Sequence, residues 1–294
     1  MNAQGSVPES ARRYALRRAL FRFSQSGLSL VGLALVVTLL MIAVFGPSLA
    51  PYPEHLGGAV NTAARFRPPS LAHPFGTNEL GQDVFSLVLG GTRVSVLAGL
   101  AVVMLGTLIG TVVGAIAGYA GGWTDEILMR ISDLKLTVPG LILAMAVAAA
   151  LGPGILNMVI AIALSWWPGY ARLVRGEVMA KKEELFVTAA RAIGAGPGRI
   201  LFRHILPNIL TPVIVKMSLD MGFAILTVAS LGFIGIGVKP PTPEWGSLLS
   251  VARGYMPDYW WTAIFPGLAI FTAVFGFNLL GDGLRDVFDP KARR

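Results

Sequence analysis

About six apolar runs of near-bilayer length recur along this chain, and they restrict its fold more than any other feature. A bilayer core takes roughly 20 consecutive apolar residues to cross as a helix. Inside it every backbone polar group must find a partner within the protein, so such runs become helices. Leu28 to Ala50 is the first, stopped by Pro47, Pro51 and Pro53. It follows arginines as a signal peptide would, but it lacks a small-x-small exit and ends at Gly46-Pro47, so it reads as a retained span. Val94 to Gly118 is the second. The third has an amphipathic lead-in carrying Asp125, Glu126, Arg130, Asp133 and Lys135, and it ends near Leu151 at the turn Gly152-Pro153-Gly154. The fourth runs from Ile155 to Tyr170, with Trp166-Trp167 near its end as a headgroup-level marker. The fifth spans Ile205 to Ile225, and the last opens at Trp260-Trp261 and reaches Leu280. With 54% of residues apolar and only 14% charged, lipid serves as much of the solvent. The fold class is an all-α integral membrane protein with about six transmembrane helices.

The formal charge of +8 raises nucleic acid as a partner, but the cations are distributed otherwise. Arg12, Arg13, Arg17, Arg18 and Arg22 precede the first run; Arg172, Arg175, Lys181, Lys182, Arg191, Arg199 and Arg203 fill a central polar stretch; Lys291, Arg293 and Arg294 end the chain. Counted from an internal N-terminus, every basic block falls on the cytoplasmic side, as the positive-inside rule requires. No nucleic-acid surface is needed to explain them. The chain divides into a basic tail at 1–27, a first span at 28–50, an external loop at 51–93, a core at 94–284 and a cytoplasmic tail at 285–294. The core contains a cytoplasmic loop at 181–204 and an external, irregular one at 232–259, the latter rich in Gly232, Gly235, Gly237, Pro240, Pro241 and Pro243.

Several features bear on chemistry. Gly106, Gly110, Gly114 and Gly118 recur at every fourth position and lay a bare stripe along one helix face, suited to close packing within this subunit or against a second one. No phosphate-binding loop occurs, so ATP is not bound here through one. His55, His73 and His204 are scattered without metal-ligand spacing and read as surface groups, and the absence of cysteine excludes disulfides and thiolate metal sites. Lys216 and Asp220 stand four apart, so they share one helix face deep within the fifth span. An ionisable residue at such depth is costly. The two form either a structural pair or a polar patch on a translocation path, and the pair is the one feature that favours the alternative of a secondary transporter or channel subunit.

The polar stretch holds the identifying pattern: Thr188-Ala189-Ala190-Arg191, then Gly194, then Leu206-Pro207. It resembles the cytoplasmic loop of ABC importer permeases, in which Glu-Ala-Ala, Gly and Ile-x-Leu-Pro recur at this spacing; Thr188 stands at the usual Glu and His204 at the Ile. Gly76-Thr77-Asn78-Glu79-Leu80-Gly81-Gln82-Asp83-Val84 is similar to the motif before the second span of dipeptide, oligopeptide and nickel permeases, with Asn78 and Gln82 where Asp and Arg are usual. Ser230 to Gly237, Pro240 to Gly246 and Asn278 to Asp286 through Asp289-Pro290 also resemble that group, in particular its C-type permease. The resemblance implies a type I (MetI-like) permease fold forming half of a pathway for peptides or related small solutes, in a bacterial cytoplasmic membrane with both termini inside. It implies that the loop around Thr188 to Gly194 couples to an ATPase. It further implies a second permease, two ATPase subunits that carry ATP and Mg, and an external substrate-binding protein as partners, with no cofactor on this chain.

Overall fold

The computed structural model describes Phe21 and residues 23–288. Arg12, Arg13, Arg17, Arg18, Arg22, Asp289, Pro290, Lys291, Arg293 and Arg294 lie outside the described residues. Helix α1 (Gly27–Leu49) begins at Ser26, whose hydroxyl accepts from the Ser29 N–H and so satisfies one of the unpaired first-turn donors. Helix α2 (Val84–Ala120) starts well ahead of the apolar run at Val94, because Asp83 caps it by accepting from the Ser86 N–H. Arg93, which ends the apolar run in sequence, is exposed and leaves the helix intact. Gly121, at φ 68°, closes α2 three residues beyond the Gly118 end of the apolar run.

The third run is two helices rather than one span with a lead-in. Helices α3 (Gly122–Leu136) and α4 (Gly140–Leu151) meet at 90°. Pro139 sits at the joint, where it disfavours helical backbone in the residue before it. Helix α5 (Ile155–Lys182) continues far beyond Tyr170, with Trp166-Trp167 in its interior rather than at its end. The eight-residue α6 (Leu185–Ala192) follows, then a short turn at Pro197–Arg199 and a π-helical turn at Ile200–Ile205 that lead into α7 (Leu206–Ile234). The segment expected to be irregular contains α8 (Trp245–Ala252), capped by Glu244. Helix α9 (Trp261–Phe288) completes the described chain.

Among the described residues, four helices can cross a membrane by length and apolar composition, those of α1, α2, α7 and α9, or five if the bent α3–α4 pair forms one span. Helix α5 falls short of that test because Asn157, Trp166-Trp167-Pro168-Gly169-Tyr170 and Arg172 dilute its apolar residues. The core lies where α2, α5, α7 and α8 meet, around Val96, Val102, Ile162, Ile225, Val228 and Trp245. The glycine stripe packs within this chain: a Cβ on Gly110 would lie 2.5 Å from the Trp167 carbonyl oxygen, on Gly114 2.3 Å from that of Ala171 and on Gly118 2.8 Å from that of Arg175. Only glycine permits that approach of α2 to α5.

Candidate functional site

The segment with the family-like loop pattern folds as a small platform. Val187 and Ala190 turn inward onto Val174, Val178, Ile200 and Ile205, while Thr188, Ala189, Arg191 and Gly194 face outward. Helix α6 ends on Gly194 at φ 81°: its N–H donates to the Arg191 carbonyl at 2.9 Å and the Ala195 N–H to that of Ala190 at 3.0 Å. This paired termination with a left-handed glycine is the Schellman motif, which explains the glycine at that spacing. Leu206 is half-buried and Pro207 exposed where the π-helical turn at Ile200–Ile205 passes into α7; Pro207 has no N–H with which to continue the hydrogen-bond ladder there. Leu185 (88% exposed), Ile193 (86%) and Phe202 leave large apolar surface beside the outward face.

The cations around this loop are partly engaged within the chain. Arg175 makes two contacts with Asp125, and Arg172 binds Asp133, holding α5 to α3. Lys182 Nζ donates to the Tyr119 carbonyl at 2.7 Å, tying the end of α5 to that of α2.

At the other end of the bundle, the Gly76–Asp83 motif organises the 51–83 loop. Asp83 Oδ2 accepts from the Ser86 N–H and hydroxyl, each at 2.8 Å, and its Oδ1 lies 3.0 Å from His73 Nδ1. The Asp83 N–H donates to His55 Nδ1 at 3.0 Å, so the proton of a neutral His55 ring sits on Nε2. Both imidazoles are buried, at 6% and 9% exposure, and pack against Tyr52, His55 stacked and His73 tilted. The surface expectation is overturned for His55 and His73; His204 is half-buried. Chain closure brings both to Asp83, a juxtaposition that their spacing does not reveal. Asn78 and Gln82 depart together from the usual charged residues and bind each other, Asn78 Nδ2 to Gln82 Oε1 at 3.0 Å. A neutral amide pair thus occupies that position. Gly81, at φ 73°, admits no side chain, since a Cβ would meet the Asn61 carbonyl oxygen at 1.7 Å. Trp261 Nε1 donates to the Thr77 carbonyl at 3.0 Å, joining the loop to α9.

A cavity of about 340 Å³ opens between this loop and the 232–262 segment, with Glu79, Lys239 and Pro240, Pro241 and Pro243 in its lining. Burial raises the Glu79 pKa against its own backbone N–H and Arg65. Glu244, fully buried behind the cavity, accepts from the N–H groups of Gly246 and Ser247, both at 2.8 Å, and from the Ser95 hydroxyl at 3.2 Å. Its pKa is raised because burial outweighs those hydrogen bonds. The sequence places Asp83 and Glu244 within family-like motifs without assigning either a capping role; for each the available signal was an acid just ahead of a helix with Ser in its first turn.

Within the bundle, Lys216 Nζ lies 2.9 Å from Asp220 Oδ2 and 3.3 Å from Oδ1. The two side chains are 32% and 20% exposed. Lys216 Nζ also sits 5.0 Å from the centre of the Tyr170 ring. Behind the pair, Tyr170 and Thr107 bury hydroxyls that complete no hydrogen bond, although Thr107 and Asp220 are the polar groups around the phenol. An unpaired buried hydroxyl costs about 1–3 kcal/mol. Among the described residues, no group of three or more His, Cys, Asp or Glu could hold a metal ion.

Comparison with known families decides what kind of membrane bundle this is. The family described as binding-protein-dependent transport system inner membrane component matches residues 110–294. The chain belongs to this permease family. The N-terminal transmembrane domain of oligopeptide transport permease C matches residues 15–69. Relatives include a probable D,D-dipeptide transport system permease protein of Escherichia coli K12, 44% identical over 285 residues, covering 97% of this chain and 95% of that protein. A dipeptide transport system permease protein of Alkalihalophilus pseudofirmus is 43% identical, covering 94% and 90%. A glutathione transport system permease protein of Escherichia coli O6:K15:H31 is 45% identical, covering 92% and 89%. The permease is therefore a multi-pass membrane subunit of the peptide/nickel C-component group of ABC importers, distinct from the ATPase subunits that hydrolyse ATP. Membership implies a multi-subunit importer, and the gradient-driven alternative does not describe this family.

Proposed function

We propose that the permease forms half of the translocation pathway for peptides or related small solutes and receives the motion of an ATPase through the 181–204 loop. The observation that carries this reading is the two-sided α6. Its inner face is seated in the bundle by Val187 and Ala190, while Leu185, Ala189 and Ile193 present apolar surface to a partner. Removal of large exposed apolar groups from water favours such docking, and the small Ala189 lets a partner backbone approach. In this reading two ATPase subunits hold ATP and Mg, and a second permease completes the pathway. An external substrate-binding protein docks on the loops around Gly58 and Glu244, and both termini are cytoplasmic. Helix α5 supplies a sixth span once its polar residues are covered by neighbours rather than by lipid. The dipeptide and glutathione named for the relatives support short peptides as the cargo class.

The test uses the absence of native cysteine. In the assembled importer in inner-membrane vesicles, a single cysteine at Ala189 or Ile193 should crosslink to the ATPase, more readily during nucleotide turnover. Crosslinks from the N-terminal tail with none from this loop would refute the coupling assignment.

A further inference from the structure

We propose that Lys216 and Asp220 form a transit subsite for a ligand that carries both an ammonium and a carboxylate, the two free ends of a short peptide. This rests on the permease reading given above. Three observations carry it.

The first is the environment. The pair lies near the middle of α7, in a helix apolar enough to cross the membrane, yet both side chains remain partly exposed in the chain. Charges at such depth are stable beside water or protein and not beside lipid. On the same helix face, at spacings of seven and eleven from Lys216, stand Phe223, 61% exposed, and Thr227. This face is therefore left open by the rest of the chain, and the subsite requires that it front a polar space.

The second is the order of the charges. A lysine one turn N-terminal to an acid is the less favourable arrangement along a helix, so helix stability alone does not account for the pair. The third is the set of groups behind it. The Tyr170 hydroxyl and Thr107 Oγ1 are buried and complete no hydrogen bond, in a position where polar atoms are normally satisfied, and Asp220 is a polar group within reach of the phenol. When an incoming carboxylate draws Lys216 away, the Tyr170 hydroxyl can donate to Asp220, whose other oxygen accepts the incoming ammonium. Each charge exchanges one partner for another, and neither is left bare. The site thus binds a zwitterion weakly enough to release it, because the internal pair competes with it.

The experiment uses the complete importer in proteoliposomes and single cysteines at Thr227 and, as a lipid-facing control, at Val44, which is 64% exposed on α1. A membrane-impermeant methanethiosulfonate should modify Thr227→Cys at least ten-fold faster than Val44→Cys. The dipeptide Ala-Ala should slow modification at Thr227→Cys several-fold, whereas N-acetyl-Ala-Ala-amide should not. That protection should vanish in Lys216→Gln/Asp220→Asn, a double variant that leaves no lone charge and whose assembly is checked by co-purification with its partners. Equal reactivity at Thr227 and Val44 overturns the polar space. Rapid modification that Ala-Ala does not slow, or protection that survives the double variant, overturns the ligand assignment. An importer that fails to transport Ala-Ala while Thr227→Cys reacts rapidly instead refutes the cargo class proposed for the permease.

Discussion

Replacing Gly114 by alanine should separate α2 from α5. The added Cβ would lie 2.3 Å from the Ala171 carbonyl oxygen and 3.0 Å from its carbonyl carbon and Cα. All three are main-chain atoms, so no side chain can rotate out of the way. Relief requires the helices to part by about 1 Å to restore ordinary separation, which weakens dispersion contacts along the whole seam. Overpacking of this kind costs about 1–3 kcal/mol. Alanine returns up to ~1 kcal/mol of helix propensity, so the net loss is about 0–2 kcal/mol. Gly106 provides the control, because a Cβ there meets nothing nearer than Trp166 Cβ at 3.6 Å, an ordinary contact. Gly106→Ala should therefore stabilise the protein by roughly 0.5–1 kcal/mol. The assay is thermal unfolding of the detergent-purified permease followed by tryptophan fluorescence, with Trp166 and Trp167 reporting from the seam itself. Adding Ala171→Gly to Gly114→Ala should not restore stability, since the obstructing atoms are backbone. A Gly114→Ala protein that melts at or above Gly106→Ala would refute this account of the stripe.

Two further outcomes follow from buried contacts. Ala190→Leu should lift α6 off the bundle and lower stability by about 1–3 kcal/mol; Ala189→Leu should leave stability within about 0.5 kcal/mol but reduce co-purification of the ATPase, and equal melting temperatures for the two would defeat the two-sided reading of α6. Glu244→Gln replaces an acceptor facing the Ser247 N–H with a donor and should cost about 1–3 kcal/mol. Because the Glu244 pKa is raised in the folded state, its favourable linkage is complete below its ordinary value of 4.5 and is lost as pH rises through the folded value. The stability advantage of wild type over Glu244→Gln should therefore shrink as pH is raised from 4.5, and a pH-independent difference would refute the assignment.

What the sequence determined by itself is what depends on local composition and spacing. Apolar runs specify helices wherever lipid forbids unpaired backbone, and the α1, α2, α7 and α9 runs are all helical. The four-residue glycine period marks a close helix contact, and Gly194 marks the end of α6 because a left-handed backbone position selects glycine. The i, i+4 spacing likewise places Lys216 against Asp220. Tertiary structure alone decided the remainder. Arg93 and the Trp166 to Arg172 stretch look like span boundaries by hydropathy, yet helices run through both because capping and packing, rather than local polarity, decide where a helix stops. His55 and His73 are ordinary loop histidines in the sequence and become buried partners of Asp83 only when the chain closes over 28 and 10 residues. Which side of α6 is inward, and which partner the glycine stripe meets, depend on the position of α5. A hydrophobic or small-residue pattern states that a face must be covered; the surface that covers it is fixed by contacts between residues far apart in the chain, whose energies local spacing does not encode.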